Sequence, residues 1–83
     1  MVAIEEITAS ALEDVSRALW LADNPNGDWP KLVEWSMTGI KPSGYMTKRE
    51  AQQLKDGWAA EVSRYRLRAQ VAIAATLNHV SNL

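Results

Sequence analysis

Residues 47–83 read TKREAQQLKDGWAAEVSRYRLRAQVAIAATLNHVSNL, a stretch with no proline and a single glycine, Gly57. It opens on Thr47-x-x-Glu50, a capping box in which each end can satisfy the other's free backbone donor. Good helix formers follow, from Lys48 to Leu54. Apolar positions then recur at Leu54, Trp58, Val62, Tyr65, Ala69, Ile73, Thr76 and Val80, spaced 4-4-3-4-4-3-4. This is an eleven-residue repeat of about 3.67 residues per turn, which calls for a nearly straight helix rather than a left-handed coil. The spacing predicts one helix over residues 48–80, roughly 50 Å long at 1.5 Å per residue. Asp56-Gly57 is its weak point, because glycine in a helix interior costs about 1 kcal/mol relative to alanine. The stripe crosses Gly57 without a change of phase, so the helix is expected to continue.

The far end of that helix, Ala69 to Leu77, is apolar on every side except at Gln70. Val71 projects about 160° from Ile73 on a helical wheel, so one contact face cannot cover both. The expectation is self-association through Ala69, Val71, Ala72, Ile73, Leu77 and Val80, most simply as a two-fold dimer in which one patch meets its own copy. A three-helix core within one chain is the competing account.

Working toward the N-terminus, Pro42-Ser43-Gly44 marks a turn and Gly39 a helix end. Asp28 reads as an N-cap, with Pro30 tolerated in the first turn of a short helix over residues 29–38. Ile40 could close back onto Trp35. Before it, Asp23-Asn24-Pro25-Asn26-Gly27 reads as a break. Residues 3–22 carry a stripe of Ile4, Ile7, Ala11, Leu12, Val15, Ala18, Leu19 and Ala22 within an arc of about 140°. The start of this first helix has two candidates, since Ser10 with Glu13 forms another capping box. Trp20 and Leu21 fall outside the stripe and need some other cover. The fold expected is all-α and a single domain, residues 1–83. It is an antiparallel hairpin of a first helix and a longer last one, with a short middle helix packed over the loop end.

Composition bounds the rest. The chain of 83 residues is 47% hydrophobic and 23% charged, as expected of a globular domain near the lower size limit for a self-sufficient core. There is no cysteine, hence no disulfide or thiolate metal site to add stability. A formal charge of −1 and a pI near 5.7 give no global attraction to nucleic acid or anionic membrane. No apolar run approaches the roughly 20 residues of a membrane span, and the N-terminus carries acids where a signal peptide carries bases. A cytoplasmic location is expected, in the host cytoplasm or virion if the gene is viral.

Four tryptophans, two tyrosines and no phenylalanine are an unusual aromatic set. Trp20, Trp29, Trp35 and Trp58 either build a local core near the loop end or, in part, stay exposed as anchors for a partner protein. The basic run Arg64-Tyr65-Arg66-Leu67-Arg68 does not form one helical face. The first helix carries four acids against Arg17, and the last carries six bases against Glu50, Asp56 and Glu61. Complementary rims between packed helices account for that asymmetry without nucleic acid.

Chemical motifs are few. A helix-turn-helix reading over Tyr45–Ala51 fails in either register, because the turn glycine falls at Lys55 or polar residues fall at buried positions. Asp23 to Glu34 has the length of a calcium loop, but Pro25 and Asp28 occupy a ligand and the obligatory glycine. His79 lacks a fixed partner in sequence and reads as a C-terminal capping residue. Ser10 and Ser16 read as surface residues. Nothing assigns a nucleophile, general base, metal or cofactor, so a non-enzyme is expected.

The function that fits is a small non-catalytic helical protein acting through protein–protein contact and self-assembly, as a structural subunit or an accessory binder. In composition it resembles bacteriophage accessory or virion proteins, with no motif shared. Two alternatives are a dimeric nucleic-acid-binding regulator using Lys48, Arg49, Arg64 and Arg68, and a sponge for nucleotide-type ligands at a subunit interface.

Overall fold

The computed structural model describes residues 8–81 and is all-helical, with no strand among the described residues. Its elements are α1 (Ala9–Asp23), α2 (Trp29–Thr38) and α3 (Lys48–Ser81). The order and the short-middle, long-last pattern agree with the sequence reading. Each boundary has a local cause. Thr8 is extended and accepts from the Ala11 backbone N–H at 3.1 Å, which caps α1. Helix α1 therefore opens at Ala9, neither at residue 3 nor after Ser10; residues 1–7, with Ile4 and Ile7 of the predicted stripe, lie outside those described. Asp28 caps α2 through Lys31 N–H, with Pro30 in the first turn where no donor is missed. Thr47 accepts from Glu50 N–H at 3.1 Å and opens α3 as the capping box predicts.

Helix α3 passes Gly57 without interruption for 34 residues, more than twice the 15 of α1. A Cβ placed at Gly57 meets nothing within 4 Å, whereas one at Gly39 meets the Lys55 side chain at 3.2 Å. Gly39 also holds φ +69° and ψ −163°, a backbone region open essentially to glycine alone. The two glycines should respond in opposite senses. Gly57→Ala is expected to stabilise the chain by about 0.5–1 kcal/mol. Gly39→Ala should destabilise it by about 1–3 kcal/mol. Urea midpoints at a fixed denaturation slope read both; a destabilising Gly57→Ala would contradict an uninterrupted α3.

The chain divides into two compact units, one containing α1 and α3 from Arg64 onward, the other α2 and α3 up to Ser63. In the unit containing α2, that helix runs antiparallel to the first half of α3. Trp35 meets Trp58, with ring centroids 5.3 Å apart, and Gly39 lies against Lys55. Trp29 and Leu32 from α2, with Ala51 and Val62 from α3, are its buried apolar residues. Leu54, placed on the predicted stripe, is instead exposed, and Ala51 takes the inward position. The small alanine at that position brings the C-terminal end of α2 and its cap close to α3.

In the unit containing α1, that helix is antiparallel to the second half of α3. Asp23 pairs with Tyr65, while Val15, eight residues earlier, shares a groove with Ile73 and Leu77. Ser16 and Ala69 are both completely buried. Their small side chains suit a close approach of the helix axes. Ser16 is thus a core residue, contrary to the surface role expected. Its hydroxyl can be buried because it donates to the Leu12 carbonyl one turn back, at 2.6 Å.

The buried face of α1 is rotated from the one predicted. Ser16 and Trp20 are buried, and they stand about 130° round the wheel from the middle of the apolar stripe. Leu12, Val15 and Leu19 are only half-buried, and Ala18 and Ala22 are exposed. Trp20 explains the rotation: its side chain removes more apolar area from water than any alanine of the stripe, so its own side turns inward. The stripe itself is left partly uncovered. Among the described residues no helix is long and apolar enough to cross a membrane.

Candidate self-association surface

Along α3 the predicted stripe is covered only in its middle. Val62, Tyr65 and Ala69 are buried, Trp58 and Ile73 are half-buried, and Thr76 and Val80 are exposed. Ala69, placed in the self-association set, is thereby corrected to a core residue with no surface to offer a second molecule. Val71, Ala72, Leu77 and Val80 remain exposed, with Val71 and Val80 each 59% accessible. Ile73 faces a shallow apolar groove of about 250 Å³ shared with Val15, Ala72, Thr76 and Leu77.

Leu67 belongs with this group, although the sequence reading passed over it. It is 61% exposed and one turn before Val71 on the same side of the helix, with Ala74 and Asn78 continuing the line. The signal was present in the 4-3-4 spacing of residues 67, 71, 74 and 78. It was hidden because Leu67 sits between two arginines and reads as part of a basic run.

Two arginines of that run, Arg64 and Arg68, are organised around Tyr65. The guanidinium carbons of Arg64 and Arg68 lie 5.5 and 5.3 Å from its ring centroid. Tyr65 donates its hydroxyl to Asp23 Oδ2 at 2.6 Å and ties α1 to α3. That hydrogen bond, with burial and the charge of Asp23 adding to it, holds the phenol above its ordinary pKa of 10.0 against the opposing pull of both arginines. Arg66 reaches Glu13 with both side chains part-exposed, so the charge asymmetry of the two helices does close into at least this pair. Such a pair is worth about 0.2–1 kcal/mol.

A pH dependence follows from the tyrosine. A raised folded pKa means that the bond's contribution is complete below the unfolded value near 10 and is lost as pH rises through the folded one. Tyr65→Phe removes the bond and should lower stability near neutrality. The difference in stability between the two chains should shrink as pH rises past the unfolded value near 10, and urea midpoints across the alkaline range measure it. A gap that widens with alkalinity would contradict the assignment.

Of the partner-anchor tryptophans, two are corrected. Trp20 and Trp29 are buried and belong to the core. Trp35, 37% exposed, leans on half-buried Trp58, and the Lys31 ammonium lies 6.0 Å from its ring centroid. These two keep indole surface near solvent, alongside exposed Met37 and Ile40 of the same unit. Of the basic residues, Arg64 and Arg68 come together at Tyr65. Lys48 and Arg49 are exposed in the first turn of α3, and Lys48 borders a cleft with Ile40, Gln52 and Lys55. Among the described residues no cluster of His, Asp or Glu could hold a metal ion.

Comparison with protein-family models, with curated proteins and with solved structures finds no match to this chain.

Proposed function

We propose that this chain is a non-catalytic helical protein that acts by protein–protein contact and associates with itself through the tail of α3. It serves as a structural subunit or as an accessory binder whose exposed Trp35 region meets a further protein. One observation carries the reading. Leu67 and Val71 stand together on one side of α3 and Leu77 and Val80 on another, two pairs of large apolar side chains left in contact with water by their own chain. Isolated apolar residues on a surface are ordinary, but contiguous ones mark contact surfaces. The half-covered stripe of α1 beside the Ile73 groove supports the same reading.

Association that stabilises the folded chain makes its melting temperature depend on concentration. Thermal melts over a hundred-fold dilution should move to lower temperature by several degrees, and a midpoint independent of concentration would refute the proposal. Retention on duplex DNA that falls steeply with salt would favour the regulator instead.

A further inference from the structure

The C-terminal end of α2, the loop after it and the first turns of α3 border an open cleft of about 300 Å³. It lies within one unit of a single chain and is independent of self-association. Ile40 and Pro42 line it from the loop, and Lys48, Ala51 and Lys55 line it from α3. The spacing 48, 51, 55 keeps those three on one face of the helix. Ala51 is buried, with a lysine one turn to either side of it. No carboxylate lines the cleft. We propose that it binds a small phosphate monoester, whose phosphate bridges Lys48 and Lys55 and whose organic group rests on Ile40 and Pro42.

Both lysines lack a counter-ion of their own. Neither ammonium has a hydrogen bond or an ion pair with any described residue. The acids nearest to them in sequence have other partners: Glu50 accepts from the Thr47 hydroxyl at 3.3 Å, and Asp56 from the Gln52 amide at 2.9 Å. The carbonyls that end α2 supply only about half a negative charge against two positive ones. Lys55 is half-buried, and its stem packs on Gly39, where an added Cβ would meet Cδ at 3.2 Å. A side chain already confined in this way loses less freedom on taking a ligand. Charge and reach select the ligand. A phosphate monoester carries about −1.5 to −2 at pH 7 and three strong acceptor oxygens. Seven residues separate the lysines, about 10 Å along the axis, which two four-carbon stems can close onto one phosphate. Ile40, 37% exposed, has apolar area left to bury, so an ester should gain over inorganic phosphate.

Amide NMR spectra of the full chain, titrated with phenyl phosphate, read the site directly. Saturable shifts centred on residues 38–42 and 48–55 are expected, with inorganic phosphate binding several-fold more weakly. Lys48→Gln and Lys55→Met keep most of each stem and remove its charge; each should weaken phenyl phosphate several-fold. Lys31→Gln, on α2 where the lysine pairs with Glu34, should leave binding unchanged. Inorganic phosphate binding as tightly as the ester would mean an adventitious ion only and would overturn the proposal. Shifts that never saturate, or an affinity unchanged in both cleft variants, would overturn it as well. A phosphoserine peptide that bound far more tightly than phenyl phosphate would assign the cleft to a protein partner and overturn the small-molecule ligand.

Discussion

Trp29→Ala is expected to remove most of the chain's cooperative unfolding transition. Trp29 is the first residue of α2 and only 3% exposed. Emptying the site of a large buried aromatic costs about 3–5 kcal/mol, from lost burial and from the cavity left behind. Small domains hold only about 5–15 kcal/mol in all, and this chain has no cysteine to form a disulfide that would offset the loss. The neighbouring Trp35→Ala makes the contrast. Its ring is 37% exposed and loses one tilted contact with Trp58, worth about 0.5–1.5 kcal/mol beyond its area. Near-ultraviolet circular dichroism with urea titration should show a large drop for the first variant and a modest one for the second. Equal effects would mean that the core of this unit has been placed on the wrong indole.

Val71→Asp is expected to convert the assembly to single chains while leaving each chain folded. In a solitary molecule this position is exposed, and surface substitutions of this kind stay within about 0.5 kcal/mol. A new carboxylate on a tail otherwise basic would if anything ease its repulsion. Across a two-fold seam the same change places an ionised group in a dry apolar contact once per copy, which costs several kcal/mol unless it finds a partner. The substitution thus separates the two accounts by sign as well as size. Ile73→Asp would not, because Ile73 is half-buried within its own chain and a charge there also disturbs the fold. Size-exclusion elution and helical circular dichroism, recorded together, give the answer: later elution with unchanged helicity is expected.

The boundaries of α2 and the start of α3 were legible because they rest on local chemistry, whereas the Thr8 cap that opens α1 was missed. Thr47 with Glu50, Asp28 with Pro30, and Gly39 each act within a few residues of themselves, and each sits where the pattern put it. The side of α1 that faces inward was not legible. It depends on one large indole at position 20 and on two small residues, Ser16 and Ala69, both buried though 53 positions apart in sequence. Periodicity counts apolar residues and is blind to a serine whose hydroxyl is satisfied by its own helix. The candidate surface was half legible for a related reason. Val71 stood out by its angle to Ile73, whereas Ala69 looked like interface and proved to be core, and Leu67 was masked by the arginines on either side.

The account stands on the tail of α3 being finished by a second molecule. Light scattering on the unsubstituted chain during size exclusion measures this without any perturbation. The expected molar mass is twice that of the 9.2 kDa chain, falling toward one chain only on strong dilution. A mass of 9.2 kDa at every concentration, with Leu67 and Val71 left to water, would contradict it.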